Sequence, residues 1–187
     1  MMRADFKTGD RIRVRIDDVA FGGDGVGRVS DRVLLVPFTV DGDEAEVEIT
    51  EVRKRYARAK PIGIPVPSGH RVRPLCPDYS RCGGCRMQHI AYPHQLALKQ
   101  RQVGETFRRI AGLSRIPIAE IIPSPRPFGW RGKAEFHLAG GRKGPCRAGL
   151  MGGKSHELID IESCGVVEAS VNVKYDDFRK RLRSGQV

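Results

Sequence analysis

The chain has 187 residues, of which 40% are hydrophobic and 29% charged, the composition of an ordinary soluble globular protein. Its net charge is +11, and 21 of the 33 Lys and Arg but only 10 of the 22 acidic residues lie in residues 71–187, which indicates a polyanionic partner such as nucleic acid. No apolar window is long enough to span a membrane and the opening MMRADFKTGD lacks a signal peptide's apolar stretch, so the sequence predicts a cytoplasmic protein without membrane attachment.

Residues 10–60 show short alternating runs separated by turn residues, without a helical period. In RIRVRI, Ile12, Val14 and Ile16 fall on one face and the intervening arginines on the other, which is the period-two pattern of a half-buried strand. RVLLVPF and EAEVEITEVRKRYARAKP supply further strands on either side of a DGD turn. Five short strands within about sixty residues predict a closed β-barrel of the OB type.

Four glycines in six residues, from Gly22 to Gly27, follow the first strand. A phosphate-binding loop is disfavoured, because the spacing is neither G-x-G-x-x-G nor the Walker pattern and no helix start follows. The glycines therefore predict a sharply turned or bulged connection between strands.

The motifs GGDGVGR, VLLVPFTVDGDEAEVEI and KRYARAKP together resemble a TRAM domain. The resemblance implies that residues 1–66 form a small β-barrel that holds RNA. Within KRYARAKP, a basic edge formed by Lys54, Arg55 and Arg58 is the expected RNA contact of this barrel.

A proline-rich connector, PIGIPVPSGHRVRP, predicts a boundary before a second domain over residues 67–187. Cys76, Cys82 and Cys85 follow it as C-x5-C-x2-C, and a set of four thiolates is usual for structural zinc or an iron–sulfur cluster. The long C-x5-C step and an unpaired, distant fourth thiol favour a cluster over zinc. Cys164 is preferred as the fourth ligand over Cys146, because LIDIESCG places it where a strand meets a turn.

The order CPDYSRCGGCRMQHI, a helix, GWRGKAEFHL and SCGVV resembles the uracil-C5 RNA methyltransferases that contain an iron–sulfur cluster. These enzymes, of the 23S rRNA type, use S-adenosyl-L-methionine. The resemblance implies that Cys76, Cys82, Cys85 and Cys164 bind a 4Fe–4S cluster. It also implies that the amphipathic helix predicted over residues 92–112, with Gly112 as its stop, packs toward a methyltransferase domain. A helix that only covers a core would show the same pattern, so the pattern does not choose between the two.

GWRGKAEFHLAGGRKG predicts a strand and a hairpin with a basic side. The alternation places Trp130, Phe136 and Leu138 on a face that can be buried, while Arg131 and Lys133 project outward. The candidate RNA contacts of this hairpin are Arg131, Lys133, Arg142, Lys143 and Arg147.

The predicted fold is thus mainly β with some α: a five-stranded OB-like barrel followed by a partial α+β cluster-binding domain. No glycine-rich cofactor loop and no placed nucleophile is found, so we expect the N-terminal portion of a larger methyltransferase, inactive alone, with RNA of the 23S rRNA type as its partner. Alternatives are a free-standing zinc-binding RNA adaptor and a tRNA-directed uracil-C5 methyltransferase. A radical S-adenosylmethionine methylthiotransferase is disfavoured, because that class uses C-x3-C-x2-C and carries its barrel at the C-terminus.

Overall fold

The computed structural model of the protein describes residues 6–113, 115–141, 144–153, 155 and 157–186. The chain divides into two compact units, the first made of Met1–Arg73 and Arg86–Pro123, the second of Pro74–Cys85 and Ser124–Val187. The predicted boundaries were 1–66 and 67–187, whereas this division groups 86–123 with the barrel, where Ile90 and Leu98 pack against Val19 and Val40. Among the described residues, no helix is long and apolar enough to cross a membrane.

The first unit contains the predicted five-stranded closed barrel. Its strands are β1 (Arg11–Val19), β2 (Gly25–Val29), β3 (Arg32–Val36), β4 (Glu44–Val52) and β5 (Tyr56–Val66). They close in the order β1-β2-β3-β5-β4, and the β3–β5 pair is parallel. Val14 and Ile16 are buried in the barrel core while the arginines of β1 are exposed, which confirms the alternation read from RIRVRI.

Two glycines of β2 allow close packing inside the barrel. A Cβ atom on Gly25 would lie 2.0 Å from the Oγ1 atom of Thr39. A Cβ atom on Gly27 would lie 2.5 Å from a methyl group of Val14. Such distances are far below van der Waals contact, so these two strand positions require glycine for close packing. The predicted sharp connection is made by Gly22 and Gly23, which precede β2 at φ values of +104° and +92°.

The first unit also contains α1 (Tyr92–Ile110), which ends close to the predicted stop, with Gly112 at a φ of +68°. Leu98 is buried against Val19, Val40 and Ile90, so the N-terminal half of the helix packs on the barrel. Apolar side chains of its C-terminal half remain exposed: Val103 by 45%, Phe107 by 42% and Ile110 by 83%.

An ion pair between Asp43 and Arg71 connects the chain after β5 with the barrel. The fully buried carboxylate of Asp43 accepts hydrogen bonds from Arg71, at 2.8 and 3.0 Å, and from the backbone N–H groups of Val40 and Ser68. Burial raises the pKa of Asp43, but these four hydrogen bonds outweigh it and leave the pKa below its ordinary value. The carboxylate is therefore a fully satisfied buried charge.

The second unit contains β6 (His137–Gly141), β7 (Gly144–Met151), β8 (Leu158–Asp160) and α2 (Ala169–Arg183). The three strands form an antiparallel sheet in the order β6-β7-β8. Tyr175 of α2 is buried against this sheet, where its hydroxyl group donates to the carbonyl of Ala148 at 2.7 Å and its ring stacks on Phe136.

The predicted strand over GWRGKAEFHL is wrong in its first part, because the strand begins only at His137. Trp130 is 49% exposed and Leu138 58% exposed, so the expected apolar face is buried only in part, through Phe136. Residues 130–136 do not join the sheet because the backbone of Arg131 hydrogen-bonds to Val166 and Glu168 instead of to a strand.

Candidate metal centre and nucleic-acid interface

The four cysteines of the predicted metal site lie together in the second unit. Cys76, Cys82 and Cys85 belong to the segment before residue 86, and Cys164 lies between β8 and α2. All four are partly buried free thiols. Burial raises the pKa of the Cys76 and Cys82 thiols, and the proximity of Cys85 and Cys164 raises both further. Cation binding would relieve this mutual repulsion of the thiolates.

The C-x2-C turn is fixed to the end of β7. The N–H of Gly83 donates to the carbonyl of Met151 at 3.0 Å, and that of Gly153 donates to the carbonyl of Arg81 at 3.3 Å. A Cβ atom on Gly83 would lie 2.9 Å from the Cα of Gly153, so only glycine allows this approach. The N–H of Gly84 donates to the Sγ of Cys82 at 3.4 Å.

Cys164 is held by a side chain that the sequence analysis did not single out, Asn172 of α2. The Oδ1 of Asn172 accepts from the N–H of Cys164 at 2.9 Å, and its Nδ2 donates to the Cys164 carbonyl at 3.1 Å. Nothing in the sequence marks an asparagine eight residues after a cysteine as its partner. Cys146, in contrast, is exposed on β7.

The four thiols are not arranged as the sulfur ligands of a single zinc ion would be. Tetrahedral coordination with Zn–S bonds of about 2.3 Å brings sulfur atoms to about 3.8 Å from one another. Within the described part of the chain, no three of these cysteines have sulfur atoms within 4.8 Å of one another. In a 4Fe–4S cluster, by comparison, each of the four cysteines ligates a different iron atom.

A second group of potential ligands lies in the first unit but has unsuitable geometry. Ligand atoms of Asp41, His70 and His94 lie within 4.8 Å of one another. The two imidazole rings are stacked at 3.6 Å and are parallel within 5°, so their nitrogen lone pairs lie in parallel planes and cannot converge on one ion. The hydrogen bond between His94 and Asp41, at 2.8 Å, accounts for the arrangement without a metal.

The candidate RNA contacts of the second unit are exposed where the structure describes them. Arg131, Lys133 and Arg147 are exposed, and the guanidinium of Arg131 lies 5.1 Å from the centre of the Trp130 ring. Exposed Trp130 adds an aromatic surface that the sequence analysis had assigned to the core. The remaining two candidates, Arg142 and Lys143, lie outside the described residues.

The candidate RNA contacts of the barrel differ in availability. Lys54 and Arg55 are exposed between β4 and β5. Arg58 is half-buried, and its guanidinium pairs with Asp24 at 3.1 Å, so it has less freedom to contact phosphate. Phe21, in the turn after β1, is 91% exposed and is a further aromatic group that the sequence analysis did not single out.

Comparisons with known proteins agree with the barrel and its context. Residues 5–62 match the TRAM domain family. An uncharacterised RNA methyltransferase of Thermosynechococcus vestitus is 40% identical over 89% of this chain, and one of Nostoc is 36% identical over 92%. The chain spans 37% of the length of either relative.

Among solved structures, the chain is similar to the tRNA (uracil-54, C5)-methyltransferase of Pyrococcus abyssi in complex with S-adenosyl-L-homocysteine. The similarity has a TM-score of 0.62 at 26% identity and covers 94% of this chain and 37% of the other. The chain therefore contains a TRAM domain and resembles, beyond it, the TRAM-bearing part of RNA methyltransferases.

Proposed function

We propose that this chain is the RNA-binding, iron–sulfur part of an S-adenosyl-L-methionine-dependent RNA (uracil-C5)-methyltransferase that acts on 23S rRNA. The observation that carries the proposal is the convergence of Cys76, Cys82, Cys85 and Cys164 in one unit, which also carries exposed basic residues. The RNA methyltransferase relatives and the TRAM domain support the enzyme class. The tRNA-directed alternative remains open, because the P. abyssi enzyme acts on tRNA.

The four thiols would hold a 4Fe–4S cluster. Full cysteine ligation leaves no open iron position for a substrate, so the group would supply a structural cross-link. Cys82, held on the end of β7, and Cys164, held on α2, would become connected through it. We assign no residue of this chain to S-adenosyl-L-methionine binding or to attack on uracil.

RNA would be bound mainly through its phosphates. Arg131, Lys133 and Arg147 on the second unit, and Lys54 and Arg55 on the barrel, are exposed cations that can position the backbone. Trp130 and Phe21 offer exposed rings on which unpaired bases can stack. In the complete enzyme, the target uridine would be flipped out of its stack into a catalytic domain.

The exposed half of α1 suits a further role. Its side chains Val103, Phe107 and Ile110 are spaced three to four residues apart, so they share one face of the helix. We propose that this face packs toward the catalytic domain, which would remove its apolar surface from water.

The metal assignment is tested by anaerobic purification, iron and zinc analysis and absorption spectroscopy. We expect about four irons per chain and a broad shoulder near ~400 nm. Replacing Cys164 by Ser should remove iron and colour, whereas the matched variant Cys146→Ser should keep both. A colourless protein with stoichiometric zinc would instead support the zinc-binding adaptor.

RNA binding is tested by titrating a 23S rRNA fragment and a tRNA at several salt concentrations. Replacing Arg131 and Lys133 together by Ala should reduce the slope of log affinity against log salt by about 1 to 2, since each phosphate contact on a single strand contributes roughly 0.7. The control replaces two exposed bases of α2, Lys174 and Lys180, and should leave the slope unchanged. Tighter binding of the tRNA would favour the tRNA-directed alternative.

A further inference from the structure

The loop between β8 and α2 contacts both the thiol site and the candidate RNA surface. Its residue Cys164 supplies one of the four thiols. The next residues pair with the segment that carries Trp130: the N–H of Gly129 donates to the carbonyl of Gly165 at 2.9 Å, and that of Arg131 donates to the carbonyl of Val166 at 2.9 Å. One short loop is therefore the common support of a thiol and of the Trp130–Arg131 pair.

The pairing continues to the start of α2. The N–H of Glu168 donates to the carbonyl of Arg131 at 3.0 Å, and Arg131 and Val167 form an isolated parallel bridge. The segment around Arg131 is irregular, and these hydrogen bonds hold its backbone in place of the bonds that a neighbouring strand would make. The position of the Arg131 backbone, and with it the exposed guanidinium, thus depends on the conformation of residues 164–168.

Asn172 holds the same loop from the helix side. Besides its two bonds to Cys164, its Nδ2 group donates to the carbonyls of Val167 at 3.2 Å and of Glu168 at 3.4 Å. A single amide side chain therefore connects the thiol-bearing residue with the residues that pair with Arg131. A group bound at the thiols would restrict Cys164, and the loop would pass this restriction on.

We propose that the loop 164–168 couples the two sites, with Asn172 as its positioning residue, so that a cluster bound at the thiols and RNA bound at Arg131 strengthen each other's binding. The inference rests on the proposed function, which supplies the cluster and the RNA. Its physical basis is preorganisation: a restricted loop reduces the ordering that RNA binding must impose on Arg131. Because such coupling is reciprocal, bound RNA also slows loss of the cluster.

The test compares cluster-loaded and chelator-stripped protein under anaerobic conditions, with a fluorescently labelled oligouridine as the RNA probe. We expect the loaded form to bind about tenfold more tightly, within the usual range of coupling between sites. Saturating RNA should slow the chelator-driven bleaching of the cluster by a similar factor. Hydrogen exchange should show that stripping exposes the amides of residues 129–131, while the amides that pair β7 with β8 stay protected.

Variants separate coupling from a general loss of structure. Lys133→Ala should weaken RNA binding in both the loaded and the stripped form by the same factor. The ratio of the two affinities should therefore stay unchanged, since the hydrogen bonds described between this segment and the loop come from Gly129 and Arg131. Arg131→Ala and Asn172→Ala should both bring the ratio close to one, and Cys146→Ser should leave it unchanged. An Asn172→Ala protein that keeps its thermal unfolding temperature but loses the ratio would identify positioning as the role of this residue.

If the purified protein binds iron and RNA, but its loaded and stripped forms have equal RNA affinities, the coupling is overturned and the proposed function stays intact. Absence of iron, or of RNA binding, would overturn the proposed function and the coupling with it. The comparison on wild-type protein decides the question even where a variant fails to fold.

Discussion

Lowering the pH from 7 to 5 should destabilise the first unit through His89. This side chain is 1% exposed, and burial lowers its pKa from the ordinary 6.5 to about 4, with the positive charge of Arg71 acting in the same direction. At pH 5 the unfolded chain therefore binds a proton at this position and the folded chain does not. Stability rises with pH where the unfolded state binds more protons, so the contribution is complete above pH 6.5 and is lost between pH 6.5 and 4.

The two pKa values give the magnitude. Between pH 7 and 5 the difference in proton binding amounts to about 2 kcal/mol in the free energy of unfolding. The change is measured by hydrogen exchange on peptides from β4, whose slow amides report opening of the first unit. His89→Gln, which has no titrating group, should lack these 2 kcal/mol of pH dependence.

A matched control is His137→Gln, because this histidine lies in β6 of the second unit. It should retain the full pH dependence of the β4 amides. The reasoning is refuted if His89→Gln and the wild type lose the same free energy between pH 7 and 5, since the loss would then come from other groups.

Two further predictions concern the barrel, and both are measured by urea titration. Asp43→Ala should lower the free energy of unfolding of the first unit by about 3–5 kcal/mol, because it leaves Arg71 without its buried partner. The exposed control Asp17→Ala should cost little, and a loss below about 1 kcal/mol for Asp43→Ala would contradict the argument. Gly27→Ala should cost about 1–3 kcal/mol by overpacking, because the new methyl group would lie 2.5 Å from a methyl group of Val14 in β1. In the control Gly63→Ala, the nearest neighbour of the new methyl group would lie 3.8 Å away, so this variant should be tolerated. Equal urea midpoints for the two variants would disprove the steric explanation.

Local periodicity was enough to predict the barrel. Alternating side chains in β1 must separate an inner from an outer face, whatever the rest of the chain does. The glycines before β2, the DGD turn and the C-x5-C-x2-C spacing act over similarly short distances. They led to the strand count, to the preference for a turn over a phosphate loop, and to a site of clustered thiols. The choice of Cys164 rested on the short pattern LIDIESCG, and the structure brings Cys164 near Cys76 and Cys82.

Contacts between distant parts of the chain could not be predicted in this way. Alternation over 130–138 indicated one strand, but only the three-dimensional structure pairs Arg131 with Val166 and Glu168 and leaves Trp130 exposed. The amphipathic pattern of α1 is compatible with packing on a core or toward another domain, and only the structure shows that Leu98 packs on the barrel.

The sequence by itself thus determined which backbone segments alternate, turn or carry clustered thiols, because these properties depend on neighbouring residues. The tertiary structure alone decided that Asn172 holds Cys164, that His89 is buried beside a guanidinium and that Asp43 is fully paired. Each of these depends on which surfaces meet, and a hydrogen bond or a desolvated charge acquires its energy only from the partner that folding brings to it.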